Sequence, residues 1–184
     1  MSTYLTDSLL ILVFVVIGGV FAAAEMSLVS LRDAQLKQLS GRGKRGAKLA
    51  RLAANPNRFL SAVQIGVTLS GFLSAAFGGA TLADALAPYL VRLGLAESPA
   101  RTVALVLITV VISYFSIVLG ELTAKRLAMQ RAETFALALT PLVDFIATLA
   151  RPFIWFLGVS TNVAVRVLGG DPGAAREEVT DEEI

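Results

Sequence analysis

The sequence predicts an all-α membrane protein with three transmembrane helices joined by short helical loops, and three observations carry that prediction. Only 16% of the 184 residues are charged and 55% are hydrophobic, whereas soluble domains carry about 25% charge. Three uncharged runs, Ser8–Ala24, Phe59–Ala83 and Thr102–Gly120, are long enough to cross a bilayer, alone or with their apolar flanks. Basic residues crowd into the segments after the first and third runs, as cytoplasmic loops do.

The first helix is expected at about residues 6–31. The run from Ser8 to Ala24 carries no charge, and apolar residues resume after Glu25 as far as Leu31. Ala22–Ala23–Ala24 resembles a signal cleavage site, but no basic segment precedes the run and the apolar stretch continues past it. Gly18, Ala22, Glu25 and Val29 share one helical face, a small-residue stripe suited to close helix packing.

Arg32–Arg58 holds eight of the 16 basic residues against one acid, Asp33. With GRGKRG at 41–46 as a turn, it reads as short amphipathic helices in a cytoplasmic loop, not as a nucleic-acid surface. The second helix is expected at about 59–83. Gln64, Thr68, Gly71, Ala75 and Gly78 lie along one of its faces, with Ser70 and Ser74 on the face beside it. Asp84–Arg101, with Pro88, Gly94 and Pro99, reads as a short outer loop containing a helical piece. The third helix is expected at about 102–120. Thr109, Ser113, Ser116 and Gly120 form a stripe that ends at Glu121, and Lys125, Arg126 and Arg131 follow. The loops then agree on an N-terminus outside and Arg126 inside.

Residues 134–168 are apolar but interrupted by Asp144, Arg151 and Pro152. A kinked fourth span and an interfacial helix or helix pair along the inner face both fit; the uncharged pieces are short for a crossing, which favours the interfacial reading. The tail GGDPGAAREEVTDEEI turns polar. Thr180 and Glu183 read as a capping box opening a helix that continues into a further soluble domain.

With no histidine and no cysteine, the chain lacks imidazole bases, thiolates and the usual zinc ligands, and no nucleophile motif replaces them. It is expected not to be an enzyme. Any bound metal must take oxygen ligands, which favours magnesium, calcium or sodium. Glu121 is a costly carboxylate at membrane depth, so it is either functional or paired. Gly120, Glu121 and the polar stripes supply the candidate cation ligands: Gln64, Thr68, Ser70, Ser113 and Ser116. Glu25 reads instead as a structural ion-pair partner of Lys125 or Arg126, tying the first helix to the third.

FAAAEMSLVSL at 21–31, NPNRFLSAVQIGVTLSGFLSAAFG at 55–78 and LGELTAKRLA at 119–128 together resemble the transmembrane domain of the CNNM/CorC (HlyC/CorC, haemolysin-like) family. The resemblance implies a homodimer of three-helix protomers spanning residues 1–170. It turns 134–168 into a belt-like juxtamembrane helix, with the C-terminus cytoplasmic, in the inner (plasma) membrane. Residues 171–184 become the linker toward a CBS pair that binds ATP. The implied activity is magnesium efflux coupled to sodium entry. The chain departs from the family pattern at three places. Alanines stand where FFSAAE carries its serine, Ile65–Gly66–Val67–Thr68 replaces the IGNT asparagine, and Ala124 replaces the proline of GExxPK. These departures motivate an alternative, a non-transporting membrane regulator or scaffold.

Overall fold

A computed structural model describes residues 3–170, and its regular structure is entirely helical. The linker, capping box and CBS connection expected at 171–184 lie outside the described residues.

Helix α1, Thr3–Val29, is a single apolar rod. At 1.5 Å per residue its 27 residues exceed the roughly 30 Å hydrocarbon core. The basic loop folds into α2, Asp33–Ser40, and α3, Gly43–Ala53. Gly43 (φ +69°) supplies the left-handed turn between them. At Gly46 any side chain would collide with the Leu39 carbonyl, so the two helices pack backbone to backbone. Leu39 and Leu49 are buried with Ala136 beneath this hairpin.

Helix α4, Pro56–Arg92, starts with Pro56 in its first turn, where the missing amide costs nothing. It continues well beyond the predicted end at Ala83. Asp84 points outward, while Ala83 and Ala87 are buried against Ala104 of the next helix, so packing carries the helix through the charge. The connection to the next helix is therefore only residues 93–96, turned by Gly94 (φ +102°).

The third long rod comprises α5, Glu97–Phe115, a π-helical segment, Ser116–Thr123, and α6, Ala124–Gln130. It runs unbroken past Gly120, where the uncharged run ends. Its most buried positions recur every four residues: Ala100, Ala104, Ile112, Gly120 and Ala128, with Ile108, Ser116 and Ala124 half-buried in the same series. An α-helix of 3.6 residues per turn drifts off a four-residue repeat. The wider i→i+5 turn rotates less per residue and brings the series back toward α1.

Helices α7, Ala132–Leu149, and α8, Arg151–Val167, divide the ambiguous stretch. Pro152 sits in the first turn of α8, so the predicted break falls where the proline demands it. Helix α1 packs against α4, the third rod and α7. Its Phe21 and Ala24 join Leu52, Phe59, Val63 and Val143 in one core cluster, drawing on α1, α3, α4 and α7. Large apolar side chains cover the exterior of the long rods. Among the described residues, four runs are long and apolar enough to cross a membrane: Tyr4–Val29, Arg58–Arg92, Glu97–Gln130 and Ala132–Leu149. The chain is thus a multi-pass membrane protein, and among the described residues α7 is the one candidate beyond the three expected spans.

Candidate cation site

Glycine brings three helices together around Glu121. A Cβ on Gly120 would stand 2.9 Å from the Val15 carbonyl oxygen, and one on Gly19 would stand 3.0 Å from the Gly120 carbonyl oxygen. The backbones of α1 and the π segment therefore touch, a crossing that only small residues permit. Gly18 faces the Ser70 side chain of α4, at 3.5 Å from a built Cβ to the Ser70 Cβ.

The crossing leaves a cavity of about 40 Å³, lined by Gly18, Ser70, Gly71, Ser116, Gly120 and Glu121 with apolar neighbours. A water needs about 10–15 Å³ measured in this way. The space suits an ion with part of its hydration shell. Ser70 is buried and donates its hydroxyl hydrogen to the Gly66 carbonyl at 2.7 Å, leaving the oxygen lone pairs available. Ser116 is half-buried at the cavity wall.

Glu121 stands at the edge of this cavity with its side chain 43% exposed, and Lys125 one turn on donates to it at 2.9 Å. The same ammonium lies 3.6 Å from Glu25 on α1. The three charges form one cluster joining the first and third rods. Among the described residues no three carboxylates converge. The cavity lining offers a cation the Glu121 carboxylate, hydroxyls and backbone carbonyls, with water, the ligand types of a hard ion.

Residues 9–184 match the family model CNNM, described as the Cyclin M transmembrane N-terminal domain. The chain belongs to this family. Among its relatives, a UPF0053 protein of Synechocystis, sll0260, is 43% identical over 175 residues, covering 95% of this chain and 39% of that protein. The UPF0053 protein YrkA of Bacillus subtilis is 30% identical over 170 residues, covering 92% and 39%. YhdT of the same organism is 30% identical over 179 residues, covering 96% and 39%. The chain spans about two-fifths of the length of these relatives.

Within this CNNM domain the predicted ligands separate into two groups. Gly120, Glu121, Ser70 and Ser116 meet at the cavity. Gln64 and Thr68 do not. They bond to each other at 3.4 Å on an exposed face of α4, beside an apolar groove of about 520 Å³ formed with α8. Ser113 is exposed, one position off the inward series that runs through Ile112 and Ser116.

Two features escaped the sequence reading. The π turn carries no sequence signal of its own beyond the glycine. Ser74 is buried with its hydroxyl unpartnered. Its position one turn beyond Ser70 on the same face was the available clue.

Proposed function

We propose that this chain is the membrane part of a divalent-cation transporter that exports magnesium, with sodium entry as the driving reaction. The observation that carries the reading is the placement of Glu121. A single carboxylate stands beside a small cavity that three helices line with serine hydroxyls and glycine backbone. Intramembrane carboxylates mark ion pathways, and irregular backbone at membrane depth is tolerated where it lines a cavity. Glu121, Gly120, Ser70 and Ser116 act as the ligand set, with water completing the shell.

In this reading α7 lies along the cytoplasmic face as part of the belt and does not cross. Its contacts with the basic segment support that placement. Gln35 bonds to Glu133 at 3.0 Å, Arg51 to Asp144 at 2.7 Å and Arg58 to Thr148 at 3.2 Å. These partners follow α7 from its first turn to its last, whereas a crossing helix would leave the loop layer after one or two turns. Three spans, an outer N-terminus, a cytoplasmic C-terminus in the plasma membrane and a homodimeric assembly complete the proposal. In the longer protein a CBS pair that binds ATP would regulate transport.

Reconstituted flux tests it. Glu121→Ala abolishes sodium-dependent magnesium flux in proteoliposomes, and unchanged flux refutes the assignment. A second reading, a non-transporting regulator, draws on the Lys125 ammonium already neutralising Glu121. It requires that magnesium leave the thermal stability of the purified protein unaltered.

A further inference from the structure

We propose that Lys125 is the resident counter-cation of the Glu121 site, and that an arriving metal ion displaces its ammonium onto Glu25. This rests on the cation-transport reading above. The ammonium lies between two carboxylates on different rods, 2.9 Å from Glu121 and 3.6 Å from Glu25. Both distances are ion-pair distances, and the shorter one engages one of the two carboxylate oxygens of Glu121, a residue of the cavity lining. Lysine carries a compact charge on a flexible four-carbon stem, so it can move between the two acceptors without movement of either helix. Its side chain is 31% exposed and Glu25 is 30% exposed, so neither is locked by surrounding packing.

The charges require such an exchange. Glu25, Glu121 and Lys125 sum to one negative charge. A metal ion bound to Glu121 with the ammonium still in place would sit next to a like charge, and that repulsion doubles from a monovalent to a divalent ion. Movement of Lys125 to Glu25 relieves it and frees the Glu121 oxygen. No proton changes hands: the lysine stays charged and changes partner. Glu25 is thus the acceptor that makes displacement possible, beyond its role in tying α1 to the third rod.

Calorimetric titration of magnesium and sodium into the purified protein in lipid nanodiscs tests this. Lys125→Met raises magnesium affinity by about tenfold and sodium affinity by less, because the relieved repulsion scales with ion charge. Lys125→Arg, which keeps the charge and grips carboxylates through two donors, lowers magnesium affinity and serves if the methionine variant fails to fold. Glu25→Gln weakens magnesium binding several-fold in the natural background. In the Lys125→Met background most of that loss disappears, since no ammonium then needs an acceptor. Equal losses in both backgrounds, or no gain from Lys125→Met together with no loss from Lys125→Arg, overturn the proposal. If the natural protein binds magnesium and loses it with Glu121→Gln while the Lys125 variants change nothing, transport stands and the exchange falls. If neither the natural protein nor Lys125→Met binds either ion, both fall.

Discussion

Arg51 of α3 donates a 2.7 Å hydrogen bond to Asp144 of α7, joining residues 93 apart in sequence, and Lys48 approaches the other carboxylate oxygen at 3.1 Å. The carboxylate is buried while both bases remain largely exposed. The pairing therefore costs little on the basic side and satisfies the one group that needs it. Asp144→Asn weakens the α3–α7 contact by about 1.5–3 kcal/mol, the range for a hydrogen bond to a charged group. Arg51→Gln costs less, because Lys48 remains. Thermal unfolding in detergent orders the two variants, and an Arg51 variant less stable than the Asp144 variant contradicts this account.

Gly120 allows no side chain. Alanine there presses on the Val15 carbonyl at 2.9 Å, and a backbone atom cannot rotate away. Gly120→Ala should lose about 1–3 kcal/mol, typical of overpacking a tight contact. Gly158 of α8 has nothing within 4 Å of a built Cβ, and Gly158→Ala should gain up to about 1 kcal/mol from helix propensity. Opposite shifts in melting temperature verify the pair.

Ser74 and Ser70 share a face of α4 but differ in their bonding. Ser70 uses its hydrogen on the Gly66 carbonyl, while the Ser74 hydroxyl is buried and unpartnered. Ser74→Ala removes an unsatisfied group and so leaves stability unchanged or raises it by about 1 kcal/mol. Ser70→Ala loses a bond and a cavity oxygen, and flux falls with it. A flux defect in Ser74→Ala of the same size as in Ser70→Ala would make Ser74 a ligand as well.

Gln64→Ala and Thr68→Ala should leave magnesium flux within about twofold of the natural protein, whereas Ser116→Ala should reduce it by tenfold or more, given the loss expected when one ligand of a polar site is removed. Isotope uptake by proteoliposomes separates the groups. A strong defect from Gln64→Ala would show that the exposed face of α4 contributes to the ion pathway.

Much of this was legible in the residues. The uncharged runs gave three rods, Pro152 gave the break before α8, and Gly120–Glu121 stood out as a glycine and an acid at the end of an apolar run. What could not be read depends on contacts between distant segments. Asp84 looked like a helix end because its charge is visible, while the burial of Ala83 and Ala87 against Ala104 is not. Gln64 and Ser70 seemed equal as ligands because periodicity ranks positions on one helix and is silent about which face meets a neighbour. Ser113 and Ser116 share regular helical spacing, which does not show that Ser113 is exposed while Ser116 is half-buried at the cavity wall.

That π turn also acts as a phase shifter. In a helix advancing about 100° per residue, the half before Ser116 and the half after Thr123 hold a rotational offset set by the wide segment alone. Deleting one residue within it, such as Leu119, would turn Lys125 and Ala128 relative to Ala104, by less than the α-helical step because the wide turn rotates less per residue. The ammonium would then swing off the side facing Glu25, although every charged residue remained present. The cluster of Glu25, Glu121 and Lys125 is thus timed by the winding of the rod as much as by the identity of its side chains.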